Sequence, residues 1–163
     1  MSLEALNRAK QILGDVVTAS HSYRGDDTLV VKPESLLQAM KQLKEDPELQ
    51  MNFLVDLTAV DYLGRDPRFE VVYHLRSMAT GARLRVKAPL HQPEDDSHPV
   101  IDSIVSLWAG ANWFEREVWD LYGIKFRGHP DLRRILMYEE FIGHPLRKDY
   151  PKERRQPLVG PRN

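Results

Sequence analysis

Three apolar-rich segments between residues 52 and 88 have almost no chain between them. They are 52–62 (NFLVDLTAVDY), 69–77 (FEVVYHLRS) and 82–88 (ARLRVKA), separated by stretches holding Gly64-Arg65-Asp66-Pro67 and Thr80-Gly81, which are turn compositions. Turns between them and the alternation from Arg83 to Lys87 lead to the expectation of a meander of antiparallel strands. In Arg83-Leu84-Arg85-Val86-Lys87, charge alternates with apolar bulk, so one face of the sheet is expected to be wet.

Helical signals flank the meander. Ser2 is placed to cap a helix with Leu3, Leu6, Ala9, Ile12 and Leu13 inward, and Gly14 stands where a left-handed stop is wanted. Val16, Val17 and residues 20–23 read as a strand, Arg24-Gly25-Asp26-Asp27 as a turn, and residues 28–32 as a second strand. Pro33 fits the first turn of a helix carrying Leu36, Leu37, Met40 and Leu43, which ends at Asp46-Pro47. Residues 89–98 read as a polar loop. A helix with Val100, Ile101, Ile104, Val105 and Trp108 inward is expected next. After Gly110 another follows, carrying Trp113, Phe114, Glu115, Arg116, Glu117, Asp120 and Leu121 and ended by Gly123. The order αββαβββαα specifies an α+β fold: two layers, helices packed on a mixed, mostly antiparallel sheet of about five strands.

Proline and charge set the last part apart. Residues 127–163 hold five of the eleven prolines, with nine Lys+Arg against five Asp+Glu, a net of +4, whereas residues 1–126 carry 14 − 19 = −5. Proline removes a donor and fixes φ, so an α+β domain over 1–126 and an extended, basic interaction tail over 127–163 are expected. The chain has no cysteine, which excludes a disulfide scaffold, a thiolate zinc site, a cysteine nucleophile and a cluster held by its own thiolates. No apolar run approaches the ~20 residues of a membrane helix, and the first ten residues lack the apolar centre of a signal peptide, so a cytoplasmic setting is expected.

Candidate chemistry concentrates in two places. Arg116 and Asp120 are one turn apart and can pair, and Glu117 with Asp120 could act as an acid/base couple, although a helix docking its acidic face on a basic segment is favoured. The tail holds an imperfect repeat, Gly128-His129-Pro130-Asp131-Leu132-Arg133-Arg134 and Gly143-His144-Pro145-Leu146-Arg147-Lys148. A histidine before proline sits on stiff, extended backbone. Two such histidines with Asp131 or Asp149 could ligate a metal; hydrogen-bonded structural histidines are favoured. Arg133, Arg134, Arg147, Lys148, Arg154 and Arg155 invite a nucleic-acid reading, but the near-neutral chain has no binding-module motif, and paired arginines suit carboxylates of a partner protein. Phosphate-binding loops and hydrolase elbows have no sequence support.

The run ANWFEREVWDLYGIKFRGHPDLRRILM, followed by GHPLRKDYP, resembles the signature of the 30-kDa subunit family of respiratory complex I, and NFLVDLTAVDY and FEVVYHL match its sheet region. The resemblance implies a cofactor-free subunit in the peripheral arm of a proton-translocating NADH–quinone oxidoreductase. It would lie on the cytoplasmic face of the inner membrane, with FMN and iron–sulfur clusters in partner subunits. The implied partners are the large hydrogenase-like quinone-site subunit and the iron–sulfur subunits, with no nucleic acid, and membrane contact only through partners. No catalytic residue is expected in this chain. The motif positions Glu115, Arg116, Glu117, Asp120, His129, Arg133, Arg134, His144, Arg147, Lys148 and Asp149 are expected at a partner interface. Related hydrogenase and dehydrogenase complexes use the same module, and a free-standing enzyme using Glu117 and Asp120 with His129 is the competing class.

Overall fold

The computed structural model describes residues 2–95 and 97–160, without the side chains of Ser2 and Leu3. The expected Ser2 cap, the inward place of Leu3 and Pro161 therefore lie outside what is described. The elements are α1 (Ser2–Leu13), β1 (Val17–Tyr23), β2 (Asp26–Val31), α2 (Leu36–Glu45), β3 (Phe53–Asp61), β4 (Phe69–Arg76), β5 (Arg83–Leu90), β6 (Val100–Asp102), α3 (Ala111–Tyr122) and β7 (Lys125–Arg127). From Gly128 to Gly160 the chain carries neither helix nor strand.

The main sheet has the order β1-β2-β5-β4-β3. β3, β4 and β5 form the expected antiparallel meander, β1 and β2 a hairpin, and β2 joins β5 in parallel, which makes the sheet mixed. The register follows the alternation in the sequence. Leu84, Val86 and Ala88 of β5 and Phe69, Val71, Tyr73 and Leu75 of β4 are buried in one core cluster. Leu6, Ala9 and Leu13 of α1 and Leu36, Met40 and Leu43 of α2 fill the same cluster. Truncating such a fully buried leucine to alanine costs about 2–5 kcal/mol.

Five expectations are corrected. Val16, expected in the first strand, lies in a 3-10 turn, Gly14–Val16, and Asp26 and Asp27, expected in the turn, begin β2. Pro33 opens a 3-10 turn, Pro33–Ser35, ahead of α2 rather than the α-helix itself. β5 runs on through Pro89 to Leu90, into the expected loop. The expected helix over Val100–Trp108 does not form: Val100–Asp102 pairs in parallel with β7, and Ile104–Trp108 is a turn closed by Trp108 N–H to Ile104 O at 3.0 Å. Ile101, Ile104 and Trp108 are buried there, but Val100 is exposed. A spacing that mimics a helical stripe arises because a strand and a turn press successive residues into one core, and β-branched residues after Pro99 favour the strand.

Candidate partner interface

α3 ends at Tyr122 because Gly123 follows with φ +72°, its N–H returning to Trp119 O at 2.9 Å. A helix end leaves the last carbonyls without intrahelical donors. Here each is met from outside the helix. Asp120 O accepts His144 Nδ1–H at 2.9 Å, Leu121 O accepts Leu146 N–H at 3.0 Å, Tyr122 O accepts Arg147 Nε–H at 2.6 Å, and Gly123 O accepts His98 Nδ1–H at 2.9 Å. Three of the four donors come from the second tail repeat. The rings of His98 and His144 meet edge to face around Trp119, with centroids 4.9–5.3 Å apart. Burial drives the His144 imidazole down to about 4 and holds His98 below its ordinary value, so both rings are neutral at pH 7.

Two buried carboxylates fix the tail backbone. Asp120 Oδ1 accepts Arg134 Nη1–H at 2.6 Å, and its Oδ2 accepts the N–H groups of Ile135, Leu136 and Met137 at 3.1, 2.8 and 2.8 Å. Burial alone would raise this carboxyl. The Met137 N–H, the Arg134 guanidinium and the N–H groups of Leu136 and Ile135 outweigh it and hold Asp120 below the usual carboxylate range. Arg134 also donates to Phe141 O and Gly143 O, both at 2.9 Å. Asp61, at the end of β3, takes both arms of Arg68 at 2.9 and 2.8 Å and the Lys148 N–H at 2.8 Å. Burial again opposes, and Arg68 with the Lys148 N–H again prevails, so Asp61 is also held low. Arg68 reaches on to Asp149 at 2.9 Å.

The expected site residues separate into inward and outward sets. Arg116 does not pair with Asp120: its Nε and Nη2 donate to Arg133 O and Arg134 O, and its guanidinium covers the Trp113 ring at 5.2 Å. Glu117 is exposed and Asp120 is spent on the tail, so no acid/base couple forms. Glu115 faces the core, wholly buried, with Oε2 accepting Ser103 Oγ–H and Oε1 accepting Ile104 N–H, both at 2.7 Å. Burial raises it to about 7, against those two bonds. His129 is taken at both nitrogens, Nε2–H donating to Asn112 O at 3.1 Å and Nδ1 accepting Asp131 N–H at 3.0 Å, so no lone pair is left for a metal. Arg134 and Arg147 turn inward, whereas Arg133, 71% exposed beside Asp131, and Lys148 turn outward. Trp113, 63% exposed, and Leu136, Ile142 and Leu146 add apolar surface near them.

Asp61, Arg68, His98, Ser103 and Trp119 belong to this arrangement and are missed by the sequence reading. For His98 a signal exists: His98-Pro99 is a third histidine-before-proline, matching His129-Pro130 and His144-Pro145. For Asp61 the signal is a charge at an inward register position of a strand.

Residues 29–156 match the family described as the respiratory-chain NADH dehydrogenase 30 Kd subunit. The C subunit of the NADH-quinone oxidoreductase of Citrifermentans bemidjiense is 48% identical over 158 residues, 96% of this chain and 94% of that protein. Its counterpart from Geotalea uraniireducens is 50% identical over 140 residues, 85% and 82% of the two chains. Among solved structures, a chain of the membrane-bound sulfane sulfur reductase, an archaeal respiratory membrane complex, shares the fold at TM-score 0.66 and 22% identity, over 82% of this chain and 76% of that one.

Proposed function

We propose that this chain, which belongs to the respiratory-chain NADH dehydrogenase 30-kDa subunit family, serves NADH–quinone oxidoreductase as a cofactor-free assembly subunit that catalyses nothing itself. It holds neighbouring subunits in place while they carry electrons from NADH to quinone. The observation that carries this reading is the tail. Asp120 and Asp61 fix its backbone, and the cations Arg133 and Lys148 stay turned outward. A surface of rigid backbone, presented cations and an exposed tryptophan suits a protein partner, because little freedom is lost on docking. Of the buried carboxylates among the described residues, Asp46, Asp61, Glu115 and Asp120 are engaged within the chain and Asp27 alone has no hydrogen-bond partner, and there is no thiolate to hold a cluster.

The partner we assign to this surface is the large hydrogenase-like quinone-site subunit, with the iron–sulfur subunits nearby, at the cytoplasmic face of the inner membrane. No helix among the described residues is long and apolar enough to cross a membrane, which supports attachment through partners. Affinity purification of the tagged chain from native membranes tests the reading. Recovery of the hydrogenase-like and iron–sulfur subunits is expected, with no flavin or labile sulfide retained once the chain is stripped of them. Recovery of the chain alone, or of iron and sulfide stoichiometric with the stripped chain, overturns it.

A further inference from the structure

The helices occupy one face of the main sheet. Because Leu84, Val86 and Leu75 face them, Arg83, Arg85, His74 and Arg76 lie on the opposite face. One end of that face is electrostatically matched, with Lys87 Nζ 2.8 Å from Glu70 Oε1. The other end is not. The antiparallel register sets Arg76 directly opposite Arg83 and His74 directly opposite Arg85. Arg76 and Arg83 are like charges directly opposed, which destabilises a sheet, whereas neutral His74 adds no charge and has Asp56 opposite it on β3. The offset is thin: Asp26 of β2 is shared between Arg83 and Arg85 at 3.9 and 3.8 Å, and Arg76 has no carboxylate within ion-pair distance among the described residues. Burial and then the Arg85 charge hold His74 below its ordinary pKa. Phe53 stands opposite Arg76 on β3, 48% exposed, and Val55 is exposed at the bulge beside it. A cleft of about 380 Å³ lies beside this corner, with Asp26, Asp27 and Asp56 as well as His74, Arg83 and Arg85 in its walls, so the unmatched charge is at Arg76 and Arg83 rather than in the cleft itself.

We propose that this corner of the sheet, Arg76 and Arg83 with Phe53 beside them, is a second docking surface, and that its occupant is an acidic segment of another protein subunit. Carboxylates seated between the two guanidiniums convert a repulsion that costs the free chain into attraction in the complex, and the planar fork of arginine accepts a carboxylate with two parallel bonds. Phe53 supplies the apolar contact that excludes water around those pairs. The surface lies on the opposite side of the sheet from α3, so it is independent of the tail surface assigned above.

The test uses the assembled complex and the isolated chain together. Arg76→Gln with Arg83→Gln removes the repulsion, so the isolated chain should melt at the wild-type temperature or above it, while its capture into the complex weakens about tenfold or more. A photo-crosslinking residue at Phe53 should join a peptide of another subunit with Asp or Glu at the junction. A lower melting temperature with capture intact makes the arginines structural and overturns the proposal, as does wild-type capture of the double variant. Cross-linking only to a second copy of this chain, or binding of phosphatidylserine vesicles in preference to a polyglutamate peptide, also overturns it. Arg133→Glu in parallel separates the two surfaces: if that variant alone loses capture, the sheet proposal fails and the tail reading stands.

Discussion

Gly123 and His144 compete for one space: a Cβ on Gly123 would lie 2.5 Å from Cδ2 of the imidazole. The glycine that stops α3 is therefore also the floor on which the tail histidine rests. Gly123→Ala combines a left-handed backbone that alanine disfavours with a contact no side chain tolerates, and His144 is the group that must move. The variant should lose about 2 kcal/mol, a fall of roughly 4–8 °C in melting temperature for a chain of this size. Trypsin should cut it faster at Arg147 and Lys148 than the wild type. Unchanged melting and cleavage would mean that His144 does not hold the tail.

Asp120→Asn tests the other anchor. The amide keeps one acceptor but sets a donor against either Arg134 or the N–H groups of residues 135–137. Breaking a buried pair by removing one charge costs about 3 kcal/mol or more. Melting should fall by roughly 6–12 °C on that basis, with cleavage after Arg133 and Arg134 appearing first. Glu117→Gln, one turn away but exposed, should change neither. Equal effects of the two substitutions would mean that net charge, rather than the Asp120 contacts, sets tail stability.

Glu115 and His144 make opposing contributions to stability between pH 4.5 and 6.5. Glu115 is raised from 4.5 to about 7, so the folded chain binds the extra proton and stability falls as pH rises through that range. His144 is lowered from 6.5 to about 4, so the unfolded chain binds the extra proton and stability falls as pH drops from 6.5 to 4. Each contribution is about 3 kcal/mol at its limit. Glu115→Gln removes the first and leaves the second. Denaturant titrations should show the variant stabilised above pH 7 and newly acid-sensitive below 6.5. A variant less stable than wild type at pH 8 would contradict a carboxylate buried with two hydrogen bonds but no ion-pair partner among the described residues.

Much of this architecture is legible in the sequence, and the failures have physical causes. The meander is legible because short gaps permit few topologies and because the alternation from Arg83 to Lys87 states which face is wet. Gly123 is legible as a stop because a left-handed residue is a local requirement. The strand at Val100–Asp102 is not, since its partner Lys125–Arg127 lies beyond α3 and a three-residue pairing leaves no periodicity. The acidic helix face does dock on the basic tail, but the partner of Asp120 is Arg134 rather than the neighbouring Arg116, because tail backbone arrives with three N–H groups at once. The cations of each repeat look equivalent in sequence. Only tertiary placement turns Arg134 and Arg147 inward and leaves Arg133 and Lys148 outside.

Because of that division, the tail is held by its own domain through one set of cations while the other set is left to meet a partner. In Arg133→Glu with Lys148→Glu the reversed charges are exposed, and exposed pairs contribute about 0–1 kcal/mol to folding. The melting temperature should stay within about 4 °C of wild type. Losing interfacial charge pairs costs about 2–5 kcal/mol of binding, more than tenfold in affinity. Co-purification of the large peripheral-arm subunit from native membranes should therefore be lost. Recovery of that subunit at the wild-type yield would contradict the account.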